Sequence, residues 1–198
     1  MACAAIAWTT CALKTSASGS VREALKYDKL PGNLWSKHGE PRNEILMNSD
    51  FQELLQLFAK HKVRYLVVGG YAAMHYSQPR FTKDLDLWLE PSPENAVRVM
   101  RAFGEFGMPL IDVTPADFEQ ESLQYMVGRA PVLFDFLTSL PGLSFNTCWD
   151  SRVEDGSEGF SICYLSKESL IKAKRIAGRP QDIADLDEIS RAGDGPGS

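Results

Sequence analysis

The stretch Val63-Arg64-Tyr65-Leu66-Val67-Val68-Gly69-Gly70-Tyr71-Ala72-Ala73-Met74-His75, followed after a polar interval by Asp84-Leu85-Asp86-Leu87-Trp88-Leu89, decides how the rest of the chain is read. An apolar, β-branched run that ends in two glycines and continues in helix-compatible residues predicts a strand, a tight turn and a short helix to about Ser77. Glycine suits such a turn because it tolerates positive φ and lets backbone N–H groups close on an anion. In the second run the side chains alternate, so Asp84 and Asp86 leave one face of a strand while Leu85, Leu87 and Leu89 leave the other. One face can ligate and the other can pack.

Outward from this stretch the pattern continues. Ser49-x-x-Gln52 has the form of a capping box, and Phe51, Leu54, Leu55 and Phe58 recur at helical spacing, which predicts a helix ending near His61. It leads into the strand Arg64 to Val68, so the region opens as a βαβ-like succession. Ser92-Pro93 predicts the start of a helix whose buried stripe is Ala96, Val97, Met100, Phe103 and Phe106, stopped by Gly107. Thr114-Pro115-Ala116-Asp117 begins a short helix, and Leu123 to Val127 and Val132 to Thr138 read as strands around Gly128-Arg129. On the second of these Asp135 alternates with Phe134 and Phe136, which leaves a carboxylate in an otherwise apolar strand. Phe160 to Leu165 is a last strand. Ser166 caps a helix that Gly178 ends, and Pro180 starts another through Ile183, Leu186 and Ile189.

With 198 residues, 44% hydrophobic and 24% charged, the chain has the makings of one globular domain, assigned to residues 47–191. Residues 1–46, broken by Pro31-Gly32-Asn33 and Gly39-Glu40-Pro41, are expected to be a poorly structured extension, and 192–198 a flexible tail. A net charge of −5 gives no global attraction to nucleic acid, so any polyanion would have to meet a local basic patch. Cys3, Cys11, Cys148 and Cys163 show no zinc-ligand spacing, which fits reduced thiols in a cytoplasm. No apolar run reaches the ~18 residues of a membrane span, and Ala2 to Leu13 lacks the basic start of a secretory signal.

The residues resemble the DNA-polymerase-β-like nucleotidyltransferase superfamily, in its minimal bacterial branch that includes the AbiEii-type toxins, over roughly Met47 to Ile189. The resemblance rests on Gly69-Gly70, on Asp84-Leu85-Asp86 after a spacer of this length, and on Asp135 as a third strand carboxylate. Pro79-Arg80-Phe81-Thr82-Lys83-Asp84 and Lys174-x-x-x-Gly178-Arg179-Pro180-x-Asp182-x-x-Asp185 also look like that branch. It implies an α/β (α+β) fold with a mixed central sheet flanked by helices. It further implies an enzyme of the phosphorus-containing group transferase class that moves NMP from an NTP to a hydroxyl of RNA, tRNA or protein, with release of pyrophosphate. Its cofactor would be two Mg²⁺ ions, with Mn²⁺ as substitute, held by Asp84, Asp86 and Asp135. A cognate toxin or antitoxin partner is part of what the branch implies.

Each residue also has a plainer reading. Asp135 is either a metal ligand or a buried carboxylate paired with Arg80 or Arg129. Arg80 and Lys83 are candidates for the triphosphate, or simply solvated loop cations; Lys83 points off the aspartate face and ranks below Arg80. Lys172, Lys174, Arg175 and Arg179 form a basic cluster, of which the resemblance implies that Lys174 reaches nucleotide phosphates; the alternative is an exposed helical face. Asp182 and Asp185 are expected to cap that end of the chain. His75, Tyr71 and Trp88 are expected to pack, and lie outside the catalytic set. A nucleotide-binding or antitoxin-like module without turnover and a transferase acting on an antibiotic hydroxyl are the competing functions.

Overall fold

In the computed structural model, which describes residues 13–15, 48–129, 132–156 and 160–192, the opening stretch forms a strand, a short helix and a second strand. These are β2 (Tyr65–Val67), α2 (Gly69–His75) and β3 (Asp84–Leu89). β2 and β3 are antiparallel neighbours rather than the parallel pair of a βαβ unit. After α2 the chain turns back beside β2 instead of crossing over the sheet.

With β1 (Leu13–Thr15), β4 (Gln124–Arg129), β5 (Val132–Leu137), β6 (Val153–Asp155) and β7 (Ile162–Tyr164), a seven-stranded sheet forms in the order β1-β4-β5-β3-β2-β7-β6. β3 pairs with β5 and β2 with β7 in parallel; the other neighbours are antiparallel. The expected mixed α/β sheet flanked by helices is therefore present. The expectation for residues 1–46 lies outside the described residues apart from β1, whose Thr15 lies opposite Gln124 of β4. The tail expected at 192–198 is likewise outside them beyond Ala192.

Two groups of helices cover the sheet. On one face α1 (Ser49–Lys60) and α3 (Pro93–Phe106) press an aromatic cluster onto the strands: Phe51 meets Phe134 edge-on at 5.0 Å, and Phe103 meets Phe136 at 4.7 Å. On the other face α4 (Phe145–Asp150) brings Phe145 against Trp88 at 5.2 Å, and α5 (Lys167–Ala177) and α6 (Pro180–Arg191) pack against each other. Most of the core aromatics thus lie away from the aspartate face. Among the described residues no helix is long and apolar enough to cross a membrane, and Cys148 and Cys163 are free thiols.

Local details correct the sequence reading at several points. The N-cap of α1 is Asn48, whose side chain accepts from Asp50 N, and Ser49 is already helical. Ser92 caps α3 as expected, Pro93 starts it and Gly107 ends it in a left-handed conformation. Its buried face, however, runs through Asn95, Ala96, Val99, Ala102 and Phe103, while Val97 is exposed. The stripe is rotated because a buried amide, Asn95, sits where an apolar residue would be sought.

Asn95 joins three elements. Its Oδ1 accepts from Arg64 N at 2.8 Å, and its Nδ2 donates to Arg64 O at 2.9 Å and Glu90 O at 3.1 Å. It thereby pairs Arg64 N where β2 begins, a donor that burial under α3 would otherwise leave unpaired, and gives a second donor to Arg64 O and Glu90 O, which Glu90 N and Ser92 N also reach. Replacing it by Leu strands the Arg64 N–H, so Asn95→Leu is expected to cost about 2 kcal/mol in urea unfolding. A loss below roughly 1 kcal/mol would contradict this role.

Candidate functional site

Parallel pairing of β3 with β5 sets Asp86 directly beside Asp135, with Asp84 opposite Leu133 and Trp88 opposite Leu137. Residues in register on neighbouring strands point to the same face, on backbones about 4.8 Å apart. Asp84, two residues before Asp86, shares that face. The three aspartates singled out from the sequence thus belong to one surface. Phe134 and Phe136 do not crowd it, because they project into the α1–α3 side and are fully buried there.

The pair is electrostatically adverse. Burial, then the charges of Asp84 and Asp135, push the Asp86 carboxyl up to about 7, although the Gly70 N–H and Arg179 work the other way. Burial and Asp84 likewise push Asp135 up to about 6, against the hydrogen bond from Gln124. Asp135 is only 6% exposed, yet among the described residues its Oδ1 has no hydrogen-bond partner. Arg80, which holds Asp185, supplies none, and the side chain of the other expected partner, Arg129, lies outside the described residues; among these the side-chain partner of Asp135 is Gln124, whose Nε2 donates to Oδ2 at 2.8 Å.

The glycine turn is explained by Asp86. A Cβ on Gly69, whose φ is +59°, would lie 2.0 Å from Asp86 Oδ2. Gly70 N donates to the same oxygen over 3.4 Å, and a Cβ on Gly70 would stand 2.6 Å from Thr82 Oγ1. Among the described residues, then, the anion that the turn receives is the protein's own carboxylate. Thr82 Oγ1 in turn donates to Asp84 Oδ1 at 3.1 Å.

A cleft of about 310 Å³ opens beside this surface. Its polar wall holds Gly69, Asp86, Gln124, Asp135, Lys174 and Arg179; its apolar wall includes Leu137, Leu140, Pro141 and Ile176. The predicted cations are placed unequally around it. Lys174 is buried at 4% exposure, with Nζ 2.6 Å from Asp185 Oδ2 and 3.3 Å from Asp182 Oδ1. Arg80 grips Asp185 with two parallel bonds of 2.8 and 2.9 Å, although its guanidinium also lies beside Gly70. Lys83 is half-buried and does not line the cleft.

Lys174 is thus no part of an exposed basic face, whereas Lys172, Arg175 and Arg179 are exposed. Asp182 caps the start of α6, accepting from Arg179 N at 3.2 Å and Nε at 2.7 Å. Burial alone would raise Asp182 and Asp185, but Arg179 and Lys174 hold the first down, and Arg80 and Lys174 the second. Tyr71 and Trp88 are buried, and His75 stacks on Tyr164 at 4.2 Å, so all three pack as expected. The sequence reading missed Gln124, a lone polar residue at a strand start, and the role of Arg179 as the cation acting on both Asp86 and Asp135.

Among the described residues no three His, Cys, Asp or Glu side chains are drawn together into a ready metal cluster. The donor set nevertheless suits a hard divalent cation: all-oxygen ligands, an orphaned buried Oδ1, and two carboxyls whose burial and mutual charge outweigh the field of Arg179.

No protein-family model and no curated protein matches the sequence. Among solved structures, the chain resembles the lincosamide antibiotic adenylyltransferase LnuA in its lincomycin-bound form, at 17% identity and a TM-score of 0.53, over 75% of this chain and 99% of that one. It also matches the antibiotic-resistance factor ANT(2'')-Ia at 13% identity and a TM-score of 0.48, over 73% and 82% of the two chains. At such identities the likeness to LnuA establishes a shared nucleotidyltransferase-type fold.

The raised carboxyls carry a stability signature. Asp86 and Asp135 hold protons in the folded state to higher pH than their ordinary 3.8, so the folded state is favoured at low pH and loses stability as pH rises from 4 towards 7. Asp86→Asn removes the repulsion. In EDTA its thermal midpoint is expected to exceed that of the wild type by several degrees at pH 8, with the gain gone at pH 4. A variant no more stable at pH 8 than the wild type would contradict this electrostatic account.

Proposed function

We propose that the chain is a metal-dependent nucleotidyltransferase that moves a nucleoside monophosphate from an NTP to a hydroxyl acceptor and releases pyrophosphate. The observation that carries the reading is the in-register pair Asp86 and Asp135 on parallel strands, beside Asp84 and at the wall of a cleft. Two Mg²⁺ ions, or Mn²⁺, bound by Asp84, Asp86 and Asp135 would supply the positive charge that phosphoryl transfer needs at the entering and leaving oxygens.

The chain's own groups do the rest. Asp135, through Oδ1, accepts the hydrogen bond of the acceptor hydroxyl and takes its proton as that oxygen bonds to the α-phosphorus. The bond from that phosphorus to the bridging oxygen breaks, and pyrophosphate leaves with the electron pair. The Gly69-Gly70 turn, which lies beside Asp86, and Arg80, which lies beside Gly70, are assigned to the triphosphate, and Lys174 reaches the cleft wall from α5. Lys83 belongs to the same loop and is assigned a peripheral share in nucleotide binding. Holding the reactants in line is the main task, so no covalent nucleophile is needed.

For the acceptor, the cleft favours a small molecule over RNA, tRNA or protein. Its volume of about 310 Å³ and its wall of Leu137, Leu140, Pro141 and Ile176 suit a compact compound with an apolar face. The likeness to LnuA, an adenylyltransferase with lincomycin bound, supports the same choice. An AbiEii-like role with a cognate toxin or antitoxin partner rests on the sequence motifs alone. Dependence on NTP fits a cytoplasmic enzyme.

Incubation with each labelled NTP and Mg²⁺, with lincomycin and total RNA as alternative acceptors, tests the proposal. Pyrophosphate release with label on a small molecule is expected, and Asp86→Ala should lower the rate by at least about 10²-fold. Label on RNA would overturn the acceptor assignment. Full activity of Asp86→Ala would overturn the mechanism, and Mg²⁺-dependent NTP binding without any pyrophosphate would favour a binding module.

A further inference from the structure

Among the described residues Gln124 holds the one side-chain hydrogen bond to Asp135. Its Nε2 reaches Oδ2 at 2.8 Å, Oδ1 of the same carboxyl is buried without a partner among the described residues, and both residues line the cleft. We propose that Gln124 is a positioning residue that locks Asp135 in the orientation presenting Oδ1 to the cation and the acceptor hydroxyl. The inference rests on the nucleotidyl-transfer reading above.

The terminal torsion of an aspartate is broad and nearly two-fold, so an unanchored carboxyl turns freely and exchanges its two oxygens. An ionised carboxyl only accepts, hence a donor must fix it, and the amide of Gln124 does so from one side. A neutral donor has a further consequence. Lys or Arg at this position would anchor Asp135 but cancel its charge, whereas an amide leaves the full negative charge for a cation.

The amide itself stands on pinned backbone. Beside the Gln124 and Leu137 pair, Leu123 N donates to Thr138 Oγ1 at 2.9 Å and Thr138 N donates to Leu123 O at 3.1 Å. These two bonds clasp the start of β4 to the end of β5, with Thr138 fully buried. On its other side Gln124 lies opposite Thr15 of β1. The strand start is therefore fixed from both neighbours, as a residue that aims another must be.

Gln124→Met removes the donor at similar volume, and Gln124→Asn keeps an amide that is one methylene too short to reach. Both are tested in the full chain by thermal unfolding, by Mn²⁺ titration under electron paramagnetic resonance without nucleotide, and by steady-state pyrophosphate release. The expected result is an unfolding midpoint close to that of the wild type, a Mn²⁺ Kd raised about 10-fold and a kcat lowered about 10- to 100-fold, with KM for NTP little changed. Wild-type Mn²⁺ affinity in either folded variant would overturn the positioning role. Asp86→Ala serves as control: undiminished Mn²⁺ binding there would remove the metal reading itself, whereas its loss there and retention in the Gln124 variants would refute this inference alone.

Discussion

Asp86 and Asp135 stand side by side because two parallel strands pair in a register that puts them there, and the surroundings follow from keeping that pair tolerable. Two carboxylates this close oppose each other's ionisation, and burial worsens the opposition. The chain answers with groups that relieve the charge without removing it. Gly69 leaves room for Asp86 Oδ2, the Gly70 N–H donates to it, and Gln124 steadies the partner. Arg179 adds a positive field from the cleft wall. The opposite face of the same strands is a dense aromatic core, which makes their placement rigid. Strain of this sort persists only where packing elsewhere holds it.

A second cluster of charges has a different character. Arg80, Lys174, Asp182, Asp185 and Arg179 pair across the loop before β3, the end of α5 and the start of α6. Asp185 is 1% exposed and receives both Arg80 and Lys174, so each buried charge there has partners of opposite sign. Such networks add little net stability over an apolar core, but breaking one member is costly, which makes them effective at fixing geometry. Here the network ties α5 and α6 to the loop that bears Thr82 and leads into Asp84, and so gives the cleft its second wall. The same arrangement commits Arg80 and Lys174 to carboxylates, so their contact with a nucleotide would require sharing or exchanging those partners.

Much of this was legible in the sequence where a residue's chemistry and its strand or helix period agree. The alternation of Asp84, Asp86 and Trp88 against three leucines gave β3 from Asp84 to Leu89, and the Ser-Pro and Gly signals bracketed α3. Asp135 was legible because a carboxylate in an apolar strand demands a reason. Pairing was not: β2 and β3 run antiparallel, a tertiary outcome that local pattern does not encode. α4 and β6 carried no clear period. Asn95, Gln124 and the commitment of Lys174 to Asp182 and Asp185 were invisible because a single polar residue reveals its partner only in three dimensions.

The most direct test of the account is a carbon-13 NMR titration of the aspartate carboxyls in the metal-free protein, repeated with Mg²⁺ and a non-hydrolysable NTP. The account predicts midpoints of about 7 for Asp86 and about 6 for Asp135, both falling sharply once cation and nucleotide are added. Midpoints near the ordinary 3.8 that ignore Mg²⁺ would contradict it.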